Sequence, residues 1–149
     1  MQVLLQRVSR ARCDVKSGAS SEIAHGLVLF VSFHKHDDES LIAPMAKKIA
    51  RLRIFEDDEG KMNLNINQVG GSVLSISQFT LEANTEKGHR PSFTEALEPK
   101  KAELYYQMFN DHLRREQLHV ETGSFGEAME IALTNDGPVT LLLKRSTEQ

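Results

Sequence analysis

The chain opens with two hydrophobic patterns that predict β-strands. Val3, Leu5 and Val8 give the first fifteen positions a β-like pattern, which is typical of a strand with one buried face. Residues 27–31 are all apolar and follow Gly26, and an unbroken run of this length suits a strand that is covered on both faces. The beginning of the chain therefore predicts paired strands, one of them central.

The hydrophobic period then changes from strand-like to helical. Four apolar residues share one stripe of a predicted helix: Leu41, Met45, Ile49 and Leu52. Ser40 is the predicted N-cap, and it places Pro44 in the first turn, where the backbone N–H groups have no intrahelical partner to lose. We therefore predict a first helix that begins at Ser40.

A further strand and a second helix follow. The small and branched residues of Ser72–Ser77 predict a strand, and Pro99–Arg115 predicts a helix with proline at its first position. Three apolar residues are expected near one face of that helix: Leu104, Met108 and Leu113. Three others alternate along a late strand: Met129, Ile131 and Leu133.

The order of these elements indicates the fold class. Strands outnumber helices, and they come in pairs rather than in strict β-α-β alternation. We therefore predict an α/β fold over residues 1–149, a single domain with mixed β-sheets and two main helices.

Composition narrows the class of protein. A chain of 149 residues fits one domain, and its net charge of −3 argues against a protein that coats long stretches of nucleic acid. The single cysteine, Cys13, cannot form an internal disulfide and lies in no zinc-binding pattern. Neither a signal peptide nor an apolar run long enough to span a bilayer is recognisable. We predict a soluble, cytoplasmic protein.

One polar segment follows the predicted strand Ser72–Ser77. Ser77, Gln78, Phe79 and Thr80 bring hydroxyls, an amide and free backbone N–H groups to a strand end, and such donors are what an oxyanion hole requires. The same residues also suit a plain strand terminus in which the hydroxyls bond local backbone groups. From these residues alone the plain terminus is favoured.

The second polar segment is residues 135–140, with the sequence Asn-Asp-Gly-Pro-Val-Thr. Asp136 and Gly137 stand between two alternating runs, which predicts a β-hairpin. The bond between Gly137 and Pro138 is of the type that can be cis at a cost of about 1 kcal/mol, and a cis bond would turn the adjacent carbonyls to the same side. As a simple turn, the segment needs no function.

Other candidate sites are weaker. His34 and His36 stand two apart, as two metal ligands on one strand face would, but no third ligand has suitable spacing and a solvated turn explains them better. His89 lies in a basic loop and suits phosphate or solvent equally. Cys13 has no recognisable base partner, so a thiol hydrolase is not favoured. We predict neither a metal nor another cofactor.

The two polar segments also resemble a known family. Residues 77–81 and 135–140 look like the two signature motifs of D-aminoacyl-tRNA deacylases. Similar stretches accompany them in family-like order, at residues 5–9, 52–55, 60–63, 88–93 and 120–126. One departure is the Ser-Phe-His-Lys-His sequence of residues 32–36, where family members often have more glycine and valine. Because both motifs occur together in a chain of this length, the resemblance is specific.

The resemblance implies a fold, an assembly and a reaction. The expected fold is the three-layer fold of that family, in a two-fold homodimer with the site near the subunit interface. The expected reaction is hydrolysis of the ester between a D-amino acid, or glycine, and the 3′-terminal adenosine of tRNA, with rejection of L-aminoacyl-tRNA. The partner is then the acceptor end of aminoacyl-tRNA, with neither DNA nor a membrane involved.

The resemblance also assigns residues to a pocket for the terminal adenosine and the ester. Four of them are the residues of the first motif: Ser77, Gln78, Phe79 and Thr80. Backbone N–H groups near Phe79 would stabilise the oxyanion. Phe125 and Met129 would line the adenosine side.

Residues of the second motif would act in the other subunit. The carbonyls of Gly137 and Pro138 would enter the partner's site, face the α-amino group and leave no room for an L-oriented substituent. Arg7 would help to fix that loop. Selection by handedness is thus expected to come from the main chain.

The sequence leaves the role of Thr80 and the type of function open. A hydroxyl nucleophile needs an adjacent base, and none is firmly placed, so we expect Thr80 to position the substrate while the 2′-hydroxyl of the RNA assists water. Two other functions remain. One is a sister deacylase for a small L-aminoacyl-tRNA, against which Phe79 argues, and the other is a dimeric nucleic-acid- or protein-binding module without catalysis.

Overall fold

A computed structural model describes residues 1–147 of the chain. Within this range lie two α-helices, α1 (Ile42–Arg51) and α2 (Pro99–Arg115). The strands are β1 (Gln2–Val15), β2 (Ser20–Ile23), β3 (Gly26–Ser32), β4 (Phe55–Glu56), β5 (Met62–Leu64), β6 (Ser72–Ser77), β7 (Val120–Thr122) and β8 (Met129–Lys144). Two short 3-10 turns, Glu39–Leu41 and Phe79–Glu82, complete the regular structure. None of these helices has the length and apolar character that crossing a membrane requires.

The main sheet is mixed, as predicted. Its strand order is β2-β1-β3-β6-β7, with β8 also paired to β1, and β4 and β5 form a separate pair. Strand β1 runs antiparallel to β2, β3 and β8, whereas β3, β6 and β7 run parallel to one another. The predicted α/β class with two main helices is therefore confirmed.

The two faces of β3 divide the core into layers. Leu27 and Leu29 pack with the buried faces of α1 and α2, while Val28, which points to the opposite face, packs with Cys13 and Ile76. The second half of β1, together with β2 and the beginning of β8, covers this opposite face. Helices, central strands and the folded-over strands thus form three layers, and β3 is buried on both faces as its apolar run predicted.

Helix α1 begins differently from the prediction. Ser40 is not the N-cap, because the carboxylate of Asp38 accepts the N–H of Ser40 at 2.8 Å and caps the 3-10 turn Glu39–Leu41. The α-helix itself starts at Ile42, and Pro44 lies in its first turn as predicted. A carboxylate two residues upstream therefore displaced the serine from the capping position.

Helix α2 has the predicted bounds but not the predicted face. Glu98 caps it by accepting the N–H of Lys101 at 2.9 Å. Its buried residues are Tyr105, Tyr106, Phe109, Asn110 and Leu113. Leu104 is 50% exposed, because nine residues at about 100° each place it about 180° around the helix from Leu113.

The predicted hairpin at residues 135–140 is wrong. Both halves of β8 pair with the same strand, since Asn135 stands opposite Val8 and Thr140 stands opposite Gln6. Residues 136–139 therefore form a bulge of β8 across from the single residue Arg7. The local turn sequence was overridden by a longer partner strand, which pairs with the residues on both sides of it.

The first prediction concerns the junction of β3 and β6. Gly26 has φ of +154°, and a Cβ atom there would lie 1.8 Å from the carbonyl oxygen of Ser72. Gly26→Ala should therefore push the two parallel strands apart and lower the free energy of unfolding by at least about 3 kcal/mol, measured by urea denaturation.

The matched control is Gly18→Ala. Gly18 has φ of +119°, but nothing lies within 4 Å of its added Cβ, so only backbone strain of about 1–3 kcal/mol is expected, which Gly26→Ala carries in addition to its clash. Equal losses in the two variants would show that the contact with Ser72 does not matter.

Candidate active site

The first predicted motif lies where β6 ends and a 3-10 turn begins. The N–H of Gln78 donates to the carbonyl of Val31 at 2.7 Å, which ties the end of β6 to β3. The first hydrogen bond of the turn runs from the N–H of Leu81 to the carbonyl of Gln78 at 3.2 Å. The N–H groups of Phe79 and Thr80 precede this bond, so neither has a partner within the turn. They are the donors that an oxyanion site needs.

A cavity of about 600 Å³ lies beside this turn. Its walls come from the ends of β3 and β6, from the first turn of α2, and from the segments around residues 93–97 and 125–131. Five residues that the sequence singled out line it: Ser77, Gln78, Phe79, Phe125 and Met129. Thr80 is exposed and is not among the lining residues, although its hydroxyl accepts a hydrogen bond from the amide of Gln78.

An aromatic pair stands among the lining residues of this cavity. Phe79 is 56% exposed, and its ring meets the ring of Phe93 edge to face, with centroids 5.1 Å apart and an interplanar angle of 69°. Phe93 was not among the predicted site residues, although it ends the family-like stretch 88–93. The pair gives the cavity an apolar patch.

A buried tyrosine packs against the lining residue Phe125. The hydroxyl of Tyr106 donates to the carbonyl of Ser75 at 2.6 Å, and the N–H of Gly123 reaches the same carbonyl at 3.2 Å. The ring of Tyr106 also lies 6.2 Å from that of Phe125. Because burial raises the pKa of Tyr106, this phenol stays neutral and supports the lining residue rather than acting as a base.

Gly123 packs closely against the lining residue Met129. A Cβ atom there would lie 2.6 Å from the sulfur of Met129 and 3.4 Å from that of Cys13. The N–H of Ser124 points at the sulfur of Met129 at 3.3 Å. Cys13 is buried, and burial raises its pKa, so its thiol is an inert packing group.

Carboxylates near the cavity are already engaged. Glu98 caps α2, and Glu127 accepts a hydrogen bond from the hydroxyl of Ser124. Hydrogen bonds from Ser124 and then Ser17 lower the pKa of Glu127, which keeps it ionised near neutral pH and makes it a poor general base. The cavity lining within residues 1–147 includes no histidine.

His34 and Lys35 lie in a charged turn. Nε2 of His34 lies 3.1 Å from a carboxylate oxygen of Glu95, and Nζ of Lys35 lies 3.1 Å from the other. These two residues together lower the pKa of Glu95, the lysine contributing more. Within residues 1–147 no three His, Cys, Asp or Glu side chains are arranged to hold a metal ion.

The second predicted motif is held by a buried arginine. Arg7 is 4% exposed; its Nε donates to the carbonyl of Asp136 at 3.1 Å and its Nη1 to the carbonyl of Ile54 at 2.8 Å. The Asp136 carboxylate lies 3.5 Å from Nε. The peptide bond between Gly137 and Pro138 is cis, and both residues are exposed.

The two motifs are separated within one chain. Arg7 stands opposite Leu27, which stands opposite Val73 in β6, whereas the cavity lies at Ser77. Four residues along a strand and three strand spacings put Gly137 roughly 20 Å from Ser77. The structure therefore brings together five predicted residues at the cavity and places Arg7, Gly137 and Pro138 in a second cluster.

Comparison with known proteins gives consistent matches along the chain. The family model described as D-Tyr-tRNA(Tyr) deacylase matches residues 4–144. The D-aminoacyl-tRNA deacylase of Lactobacillus acidophilus is 48% identical over 143 residues, which cover 96% of this chain and 99% of that protein. The D-aminoacyl-tRNA deacylase of Halalkalibacterium halodurans is 50% identical over 144 residues, with 97% and 99% covered.

Solved structures agree with these matches. A structure described as a c-Myc DNA unwinding element binding protein has a TM-score of 0.89 at 34% identity, with 99% of this chain and 100% of that chain covered. A probable eukaryotic D-amino acid tRNA deacylase has a TM-score of 0.83 with 95% and 97% covered. Its identity of 14% means that this second likeness establishes the fold alone.

Proposed function

This chain belongs to the D-Tyr-tRNA(Tyr) deacylase family, and on that premise we propose that it hydrolyses the ester between a D-amino acid and the 3′-terminal adenosine of tRNA. Glycine, which has no handedness, is a further substrate, and L-aminoacyl-tRNA is rejected. The reaction takes place in the cytoplasm and returns free tRNA.

The observation that carries the proposal is the turn at the cavity. The N–H groups of Phe79 and Thr80, which have no partner within the turn Phe79–Glu82, precede its hydrogen bonds and lie beside a cavity of about 600 Å³. That volume is in the range of small-ligand sites. Phe125 and Met129 supply apolar surface for the adenosine, and Ser77 and Gln78 supply polar groups near the ester.

The chemistry needs no protein base. Water attacks the ester carbonyl, assisted by the neighbouring 2′-hydroxyl of the RNA, and the N–H groups of the turn stabilise the oxyanion that forms. The intermediate then expels the 3′-oxygen, which takes a proton, and the amino acid leaves. Thr80 positions the ester, and its hydroxyl is itself oriented by the amide of Gln78.

We propose that selection by handedness comes from a second subunit. A loop roughly 20 Å from the cavity of its own chain can serve only the cavity of another copy, and Gly137 and Pro138 are exposed, which leaves them accessible to a second copy. Strand β8 has β1 as its strand partner within residues 1–147, which leaves one edge for a two-fold partner. Carbonyls of the loop would accept the α-ammonium of the substrate.

The proposed footprint on tRNA is small. A chain with a net charge of −3 is suited to gripping the acceptor end and not the whole RNA. Lys87 and Arg90 lie in the loop that leads to Phe93 and are the candidates for phosphate contact. Neither DNA nor a membrane is an expected partner, and no metal or other cofactor takes part.

The direct test is a deacylation assay on one tRNA charged with either the D- or the L-form of the same amino acid. We expect release of the D-amino acid and of glycine, no release of the L-form, and unchanged rates after exhaustive chelation. The measurement is the rate of loss of acid-precipitable amino acid under single-turnover conditions.

Other outcomes of this assay favour the other functions. Release of a small L-amino acid alone would make the chain a sister deacylase. Binding of the acceptor end, or of DNA as the name of the similar solved structure says of that protein, without release of either form would make it a non-catalytic module. Loss of activity on chelation with recovery on added zinc would contradict the proposed chemistry.

The role of Thr80 gives a third prediction. Since the oxyanion donors are main-chain groups, Thr80→Ala should keep measurable hydrolysis, reduced by no more than about a hundredfold. Mass spectrometry of acid-quenched reactions should detect no acyl-enzyme. Thr134→Ala, at an exposed position of β8, is the control, and a covalent ester trapped on Thr80 would establish a nucleophilic route instead.

The fourth prediction concerns the loop at Gly137. An added Cβ would lie 2.8 Å from Nη2 of Arg7 and 3.0 Å from Cγ2 of Val139, at φ of +124°. Gly137→Ala should therefore move the loop and lower the rate on D-aminoacyl-tRNA at least about tenfold, while circular dichroism shows a folded protein.

The control for the loop is Gly60→Ala. Gly60 also has a positive φ, of +75°, but nothing lies within 4 Å of its added Cβ, so the deacylation rate should not change. A stable monomer with full activity and full rejection of L-substrates would overturn the proposed action of the loop across a dimer.

A further inference from the structure

A buried carboxylate lies directly behind the catalytic turn. Glu82 is the last residue of the turn Phe79–Glu82 and is 7% exposed. Its oxygen Oε2 accepts the hydroxyl of Ser32 at 2.8 Å and also accepts the side-chain amide of Gln2. Both of these donors are neutral side chains. No cationic side chain among residues 1–147 forms an ion pair with this carboxylate.

These contacts connect the turn to two strands. Gln2 begins β1, and its amide also reaches the carbonyl of Leu81 at 3.4 Å. Ser32 ends β3, is 2% exposed, and lines the cavity. The turn is thus fixed at its start by the hydrogen bond between Gln78 and Val31, and at its end by the side chain of Glu82.

An ionisable group in this place is costly for stability alone. A buried carboxylate without a cation loses hydration that neutral hydrogen bonds replace only in part. An apolar side chain of similar size would fill the same space at less cost. What the carboxylate adds is a fixed orientation of the turn, because one of its oxygens accepts hydrogen bonds from donors on two different strands.

We propose that Glu82 is a positioning residue for the deacylation reaction, which fixes the N–H groups of Phe79 and Thr80 by anchoring the turn to β1 and β3. Oxyanion donors act only when they are held close to the geometry of the transition state. Glu82 acts through the backbone and does not touch the substrate. This inference rests on the proposed function.

The kinetic test compares Glu82→Ala with Glu82→Gln. Alanine removes both acceptor contacts, and a displaced donor should lower kcat about ten- to a hundredfold while KM stays within about twofold. Glutamine keeps an oxygen acceptor at the same place, so kcat should stay within about threefold of the wild-type value. Ser32→Ala, which removes one contact, should lower kcat in the same direction, and the Ser32→Ala/Glu82→Ala double variant should lose less than the product of the two effects.

A second readout does not depend on activity. The N–H groups of Leu81 and Ala83 form the hydrogen bonds of the turn, at 3.2 and 3.1 Å. Their hydrogen exchange should become at least about tenfold faster in Glu82→Ala, because the local opening of the turn becomes easier. The N–H of Asp57, in the turn between β4 and β5, should not change. Glu86→Ala, in the exposed loop that follows, is the control variant for both readouts.

Each outcome decides the matter. Unchanged kcat and unchanged exchange at Leu81 and Ala83 in folded Glu82→Ala would overturn the proposal, as would equal losses in the alanine and glutamine variants. If Glu82→Ala does not fold, the kcat and exchange of Ser32→Ala decide by the same criteria. A wild-type protein that hydrolyses no aminoacyl-tRNA would refute the proposed function, and the exchange measurement would then still test the anchoring of the turn.

Discussion

The strand β3 is enclosed on both faces and at both edges, and the rest of the structure depends on this enclosure. Its side chains fill one core with the helices and another with the folded-over strands. Because both faces are filled, a shift of register would bring the wrong side chains to each core. The pairing with β6 is therefore fixed from Gly26 against Ser72 to Val31 against Ser77. The turn Phe79–Glu82 follows after the single residue Gln78, so core packing sets its position.

Several side chains near the candidate site are already engaged, which is why the proposed mechanism relies on main-chain groups. Glu98 caps a helix, Glu127 is bonded to Ser124, and the phenol of Tyr106 holds a carbonyl. The thiol of Cys13 is packed in the second core. In the proposed mechanism, the N–H groups at the start of the turn would stabilise the oxyanion, nearby polar side chains would only position the ester, and the RNA would bring the assisting hydroxyl. In that mechanism the protein would supply geometry, and the substrate would supply reactivity.

Local patterns predicted elements well where the local signals agreed with the long-range packing. The bounds of β6 and α2 follow from Gly71 before the strand and Pro99 at the helix start. The hairpin prediction failed because it used only the residues of the turn itself. Both halves of β8 pair with β1, over a hundred residues away in sequence. Likewise, the prediction of Ser40 as the N-cap failed because Asp38 caps instead. Both residue types cap well, so the local sequence does not decide between them.

The site shows the same division between local and long-range information. The motif residues at the cavity were found from their resemblance to a family, since their spacing alone favoured a plain strand end. Ser32 and Glu82 were missed because they meet across 50 positions, and Gln2 meets Glu82 across 80. No periodicity in one sequence records such a contact. Only the folded chain shows which polar residues share a buried place.

A site made of main-chain N–H groups has a consequence for mutational mapping. Truncating the side chain of Phe79 or Thr80 leaves both donors in place, and only proline removes a backbone N–H. An alanine scan would then find its strongest effects at residues that orient the peptide units and weaker effects at the residues that carry them. For this protein, the most sensitive positions would be those that support the turn. Alanine substitutions at the residues whose N–H groups take part in the reaction would have little effect.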